Sequence, residues 1–214
     1  MRQQESPDVA PVTQALESPI GMEKYLYLTK SEWKNSWING GKIPLNLSST
    51  YRTMERRGIY TPDENLIYQS THDIATLGKY INTNGNLANI GTLKVGKITD
   101  NGITVAEGIE ASAREEDGLI LSFCNIKSKA ICRKLEKNAC VKIFDIEILI
   151  NIIDEQLGTK CIAKDCEYTS SHNRNHFLKF DDDSWQQEFR LFWDYKEKTE
   201  IFLPQGVGKG IKIT

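Results

Sequence analysis

Residues 118–124 read Gly118-Leu-Ile-Leu-Ser-Phe-Cys124, the clearest buried-strand pattern in the first half of the chain. A short apolar run of this kind is typical of a strand that is covered on both faces. A second stretch, Trp185-Gln-Gln-Glu-Phe-Arg-Leu-Phe-Trp193, predicts a long strand late in the chain. Both stretches therefore predict apolar strands that carry a few polar side chains.

The first ordered element lies nearer the N-terminus. Tyr25-Leu-Tyr-Leu-Thr29 alternates in polarity and is rich in aromatic residues, which predicts a short strand. Thr29 and Glu32 stand three residues apart, as in a capping box that opens a helix. Trp33 and Trp37 follow with a spacing of four, so we expect both indoles on the same side of that helix.

The rest of the chain alternates turn signals with short β-rich runs. Asn101-Gly102 predicts a hairpin. Asp145 is expected to cap an amphipathic helix that ends at Gly158. Further strands are predicted at 141–146, 199–203 and 210–213. The sequence therefore predicts an α+β protein with a mixed or antiparallel sheet and short flanking helices.

Length and composition favour one globular domain. The chain has 214 residues, of which 39% are hydrophobic and 26% charged, a balance typical of globular proteins. Residues 1–22 are polar and hold three of the six prolines, so we expect a disordered tail followed by a single domain over 23–214. No apolar run reaches the roughly 20 residues of a membrane-spanning helix. With no export signal, we expect a cytoplasmic protein and no membrane partner.

Charge is unevenly distributed along a chain whose formal net charge is only −2. Residues 30–57 hold six Lys or Arg against two Glu, and residues 127–142 hold six against one. Residues 181–200 hold seven acidic residues and three basic ones. The sum excludes a wholly basic nucleic-acid coat protein but is compatible with a local phosphate-binding face.

The five cysteines do not indicate disulfides. Their number is odd and no Cys-x-x-Cys pair occurs, which favours free thiols in a reducing compartment. Cys161, Cys166, His172 and His176 lie close together in sequence. However, the four-residue gap between the cysteines is wider than zinc sites generally use, and we expect no metal.

No phosphate-binding loop, dinucleotide fingerprint, zinc-protease motif or nucleophile elbow occurs. Three strand-associated polar positions remain. Thr29-Lys30 ends the first strand, Ser122 interrupts a middle strand, and Glu188 lies in a late strand two residues after Gln186.

This order of motifs resembles the ADP-ribosyltransferase superfamily, and most of all the DarT-type toxins that modify nucleic acids, together with a related bacterial family of unassigned function. The resemblance covers residues 25–213 and implies a split β-sheet and NAD as substrate. It implies that Glu188 stabilises the positive charge that builds on the ribose, that Ser122 supports it, and that Gln186 faces the acceptor. Where those families have Arg or His after the first strand, this chain has Thr29-Lys30.

The resemblance also places the cofactor contacts and the partners. Thr29, Lys30, Tyr51 and Arg52 would contact NAD, because positive charge suits the pyrophosphate and a flat ring suits nicotinamide. A Gln at position 186 is similar to enzymes that modify groups other than arginine, so we expect a DNA or RNA base rather than a protein side chain as acceptor. The implied role is a toxin of a toxin–antitoxin or anti-phage system, restrained by an antitoxin or chaperone.

Two alternatives remain open. Lys30 in place of Arg or His is compatible with a catalytically inactive relative that binds a nucleotide or a partner protein. The two basic segments are compatible with a nucleic-acid binder that has no enzymatic activity. Taken alone, Glu188 could be a strand residue paired with Arg190, and Ser122 a strand residue facing a neighbour.

Overall fold

The computed structural model describes residues 22–52, 65–84 and 87–213. They form a mixed α+β fold of single-domain size in which antiparallel sheets dominate and helices are few. The predicted fold class is thereby confirmed at this level. Apart from residue 22, the predicted disordered tail lies outside the described residues.

The described residues contain thirteen strands and four α-helices. The strands are β1 (Lys24–Leu28), β2 (Gly41–Leu47), β3 (Leu66–Ser70), β4 (Gly91–Asp100), β5 (Ile103–Glu115), β6 (Leu119–Cys124), β7 (Ala139–Ile143), β8 (Ile162–Asp165), β9 (Glu167–Thr169), β10 (Leu178–Phe180), β11 (Glu188–Trp193), β12 (Thr199–Leu203) and β13 (Gly208–Ile211). The helices are α1 (Lys34–Asn39), α2 (Ser49–Arg52), α3 (Lys129–Lys134) and α4 (Ile146–Leu157).

Strand β6 lies at the centre of an eight-stranded antiparallel sheet. Strand β11 pairs with it along one edge, from Leu119 to Cys124. The other edge is shared, since β1 pairs at Cys124 and β2 pairs at Leu119 and Ile120. Strands β1 and β2 then diverge, towards β7 and β12 respectively. Residues 121–123 of β6 pair with neither strand, and we call this opening the split.

The main core covers one face of this sheet. Phe123 and Phe189 are opposite each other on β6 and β11 and point to that face. Trp37 of α1 meets Phe123 edge to face, with ring centroids 6.4 Å apart. Helix α4 packs Leu149 and Ile153 into the same cluster. The opposite face of β6 therefore carries the even-numbered side chains, including Ser122.

Helix α4 begins and ends as its sequence predicts. The Asp145 carboxylate accepts a hydrogen bond from the Glu147 amide at 2.9 Å, which satisfies one of the free N–H groups of the first turn. Gly158 follows the last turn with φ of 66°, a left-handed conformation that suits glycine.

A second, three-stranded sheet has the order β3-β5-β4. Asn101 and Gly102 have φ of 50° and 80° and connect β4 to β5, so the predicted hairpin is confirmed. This sheet has its own core, in which Tyr68 and Ile109 are fully buried. An isolated β-bridge between Tyr68 and Arg174 connects the sheet to the loop before β10.

Two local predictions near the first strand are wrong. Residues 31–33 form a 3-10 turn. Lys30 directly precedes the turn and makes no side-chain capping hydrogen bond. The Thr29 hydroxyl instead accepts a hydrogen bond from Lys137 Nζ at 2.9 Å, so no capping box forms. Trp33 belongs to the 3-10 turn and only Trp37 belongs to α1. The two indoles therefore do not lie on the same side of one helix. Trp33 is 49% exposed and Trp37 is 4% exposed.

Candidate functional site

Glu188 is the first residue of β11 and is held by two cations. Its Oε1 accepts from Arg190 Nε at 2.7 Å, and its Oε2 accepts from Lys179 Nζ at 2.9 Å. All three side chains are buried. Arg190 also donates to the His176 carbonyl at 2.7 Å. The carboxylate is therefore fixed by an ion-pair cluster away from bulk water.

The cluster controls the charge of Glu188. Burial alone would raise the pKa of its carboxyl, because low dielectric disfavours the ion. Arg190 and Lys179 outweigh that effect through charge attraction and hydrogen bonds, and they hold the pKa well below its usual range. Glu188 is thus ionised at neutral pH, and each of its two oxygens accepts a hydrogen bond from a cation.

Gln186 does not lie in a strand. Residues 181–186 form a 3-10 turn, and Gln187 has φ of 45°. The predicted strand over 185–193 is therefore confirmed from Glu188 onward and wrong over 185–187. Gln186 is 4% exposed. Its Oε1 accepts from Lys179 Nζ at 2.8 Å, and its Nε2 donates to Asp183 at 2.8 Å. Gln186 therefore contacts Glu188 through a shared lysine.

Ser122 lies at the split and is exposed. It is opposite Arg190, and Cys124 is opposite Glu188, in the antiparallel pair of β6 and β11. Directly opposite residues share a face, so Ser122 and Glu188 are diagonal neighbours on the face away from the main core. Such neighbours are separated by about 7–8 Å. The structure therefore brings Ser122 and the Glu188 cluster together.

An open groove lies at the end of the main sheet formed by β2 and β12. Its volume of about 640 Å³ falls within the roughly 300–1,000 Å³ of small-molecule clefts. It is lined by residues of β2 and β12 and by Gln156 of α4. Phe202 is 61% exposed there. Asn46 is one of the lining residues and is paired with Ile120, two residues from Ser122 on β6.

Thr29 and Lys30 follow the end of β1 and are exposed. The Thr29 hydroxyl and carbonyl are bonded to Lys137 and Asn138. Lys30 Nζ lies 5.6 Å from the ring centroid of Trp33. Thr29 therefore contacts the segment after α3 and Lys30 contacts Trp33, and neither is bonded to the Glu188 cluster among the described contacts.

Tyr51 lies in α2, next to the start of β6, and is half-buried. Asp117 fixes the start of this helix, since its Oδ1 accepts from the Ser48 hydroxyl at 2.8 Å and the Ser49 amide at 3.0 Å. Tyr51 is thus held near the Leu119 end of β6. The side chain of Arg52 lies outside the described residues.

Two residues of the cluster escaped the sequence analysis. Lys179 stands between Leu178 and Phe180 in the short strand β10, and this pattern does not by itself predict a buried ammonium group. His176 stacks on Phe192 with ring centroids 3.9 Å apart, and its Nε2 lies 3.3 Å from Glu116. The sequence offers one weak signal for Lys179: it precedes Glu188 by only nine residues, and the segment between them is rich in acidic residues.

Metal ligation has no support among the described residues, where no group of three or more His, Cys, Asp and Glu side chains could hold an ion. The five cysteines are free thiols. No helix in the described ranges has the length and apolar character needed to cross a bilayer.

Comparison with known proteins adds nothing to the geometry: no family model, no curated protein and no solved structure matches this chain.

Proposed function

We propose that this chain is an NAD-dependent mono-ADP-ribosyltransferase that modifies a macromolecule, with a nucleic-acid base favoured over a protein side chain as acceptor. The observation that carries the proposal is the placement of exposed Ser122 at the split, diagonal to ionised Glu188. NAD would occupy the split and the groove.

The proposed reaction breaks the bond between the ribose C1′ and the nicotinamide nitrogen. Nicotinamide leaves as a neutral molecule with the bonding electrons, and positive charge builds on the ribose. A fixed carboxylate nearby stabilises that charge, and Glu188 is held ionised for this role. The acceptor then forms the new bond to C1′ and releases a proton to solvent.

Two side chains would act through their neighbours. Lys179 occupies Oε2 of Glu188, so the ribose reaches this oxygen only when Lys179 releases it. Gln186 bonds Lys179 and is buried, which makes it a positioning residue in this scheme. It would influence the acceptor through Lys179.

A second candidate function is supported by the same cluster. Both oxygens of Glu188 are engaged by cations and its side chain is only 7% exposed. A carboxylate with a purely structural role would show the same burial and the same pairing with cations. A chain of this kind could bind a nucleotide in the groove without turning it over.

Incubation with adenylate-labelled NAD tests the two functions against each other. Single-stranded DNA, duplex DNA, RNA and bacterial lysate serve as acceptors. We expect label on a nucleic acid, and a loss of about 100-fold or more in Glu188→Gln, the usual effect of removing one electrostatic stabiliser. The control is Glu110→Gln, since Glu110 is exposed on β5 of the three-stranded sheet, does not line the groove, and pairs with Lys94 at 3.0 Å.

Ser122→Ala keeps the test valid if Glu188→Gln fails to fold. Ser122 is exposed, so its loss should leave thermal stability unchanged while labelling falls. The transferase proposal fails if wild type labels nothing. Calorimetric binding of NAD without label on any acceptor would establish the second function.

A further inference from the structure

We propose that the chain also carries a binding surface for single-stranded nucleic acid, formed by α3 and the turn after β1. This surface, the basic face, consists of Lys30, Trp33, Lys127, Lys129, Arg133 and Lys134. The inference rests on the charge and aromatic content of this surface and does not depend on the transferase activity.

The fold joins two basic segments that are about a hundred residues apart in sequence. Lys137 Nζ donates to the Thr29 hydroxyl at 2.9 Å, and the Asn138 side chain donates to the Thr29 carbonyl at 2.9 Å. The Asn138 amide also donates to the Leu28 carbonyl at 3.0 Å. Lys30 and Trp33 are thereby anchored next to the end of α3.

The other half of the basic face is supported from below. The Tyr27 hydroxyl accepts from the Ser128 amide at 2.7 Å, and the Ser128 hydroxyl accepts from the Ile131 amide at 3.2 Å, capping α3. Ile131 and Cys132 are the buried residues of α3 itself. Helix α3 therefore presents its charged side to solvent from a fixed position.

The charge of the basic face is not neutralised within the protein. Within residues 22–52, 65–84 and 87–213, no carboxylate forms an ion pair with Lys30, Lys127, Lys129, Arg133 or Lys134. On the three-stranded sheet, by contrast, Lys79 pairs with Asp100 and Lys94 pairs with Glu110. Exposed lysines without acidic partners are available to phosphates, and each phosphate neutralised releases counterions.

Aromatic side chains point to nucleic acid over other polyanions. Trp33 is 49% exposed, with Lys30 beside its ring. Half-buried Trp185 has Lys134 Nζ 4.0 Å from its ring centroid, at the other end of the basic face. An exposed indole among lysines is suited to stacking on an unpaired base while the lysines contact the backbone. A lipid headgroup or a polyanion such as polyglutamate offers no such ring.

Fluorescence anisotropy with a labelled single-stranded oligonucleotide, without NAD and at a series of KCl concentrations, tests the proposal. Wild type should bind with a steep salt dependence. Lys129→Gln and Lys134→Gln should each weaken binding and reduce the log–log salt slope by about 0.7, the value for one phosphate on a single strand. Lys94→Gln and Lys79→Gln are the matched controls and should change neither quantity.

Trp33→Ala separates stacking from charge. It should weaken binding about tenfold while the salt slope stays constant, because a stacked base contributes affinity without counterion release. Glu188→Gln should bind like wild type if it folds, and Ser122→Ala should do so in any case. These two results distinguish failure of the transferase proposal from failure of this one.

Three outcomes would overturn the inference. Wild type could show no binding to the oligonucleotide at low salt. The control lysines could matter as much as those of α3, which would indicate a diffuse charge effect. Vesicles of phosphatidylserine and phosphatidylcholine, or polyglutamate, could bind the basic face while the oligonucleotide does not.

Discussion

Glu188 was predicted as a candidate site residue, but its ion-pair partners were only partly predicted. The sequence identifies it as a candidate because Gln186 precedes it by two residues, whereas Arg190, two residues later, is also compatible with a simple ion pair. It does not disclose that Lys179, brought in by β10, engages the same carboxylate. Ion pairs between side chains on different strands depend on register, which local patterns do not contain. The candidate residue was therefore predictable and its electrostatic environment was not.

Loss of the Glu188 charge should destabilise the protein strongly. Glu188→Gln leaves Lys179 and Arg190 buried beside a neutral amide, and breaking a buried pair from one side costs about 3–5 kcal/mol. We expect a difference of this size in the free energy of unfolding, measured with urea at neutral pH. The matched variant Glu110→Gln should differ from wild type by less than about 0.5 kcal/mol, since Glu110 pairs with Lys94 at the surface and surface pairs contribute little.

The pH dependence of that difference tests its electrostatic origin. The pKa of Glu188 is lower in the folded state than its unfolded value of about 4.3. Its stabilisation is therefore fully present above the unfolded pKa and is lost as the pH falls from there towards the folded pKa. The gap between wild type and Glu188→Gln should narrow in acid. A gap that stays constant from neutral to acidic pH would contradict the ion-pair interpretation.

Among the secondary-structure elements, strands with strong apolar patterns were predicted well, whereas the ends of elements in polar sequence were not. Strands β6 and β12 and the ends of α4 agree with their sequence signals. The error at residues 185–187 has a physical reason. Three aspartates favour the first turn of a helix, and Gln187 takes a left-handed conformation, which amphipathic alternation does not reveal. Strands β4 and β5 are longer than predicted because much of their length is exposed.

The packing of β6 against β11 leaves no room for a side chain at position 118. A Cβ on Gly118 would overlap the carbonyl oxygen of Trp193 and the ring of Phe192. Gly118→Ala should therefore cost about 3 kcal/mol or more in free energy of unfolding, the range of severe overpacking. Gly96→Ala in β4 is the control, because nothing lies within 4 Å of its Cβ. Equal midpoints for the two variants in urea would refute this close packing.

The molecule as a whole separates its charges in a way that the net value of −2 conceals. The face of the main sheet opposite the α1–α4 core carries the ionised Glu188 cluster and the exposed Ser122. The basic face is formed by α3 and the turn after β1. The sequence predicted the uneven charge along the chain. It could not predict that residues 29 and 137 meet, because that contact depends on the pairing of β1 with β7.

Crystallography of the protein soaked with NAD is the most direct test of the central claim that the split is the NAD site. The proposed function predicts nicotinamide ribose over residues 121–123, in contact with the Ser122 hydroxyl and next to Glu188. It also predicts that Lys179 has moved away from Glu188 Oε2. NAD bound elsewhere, or a split that stays empty in crystals grown at saturating NAD, would contradict the claim.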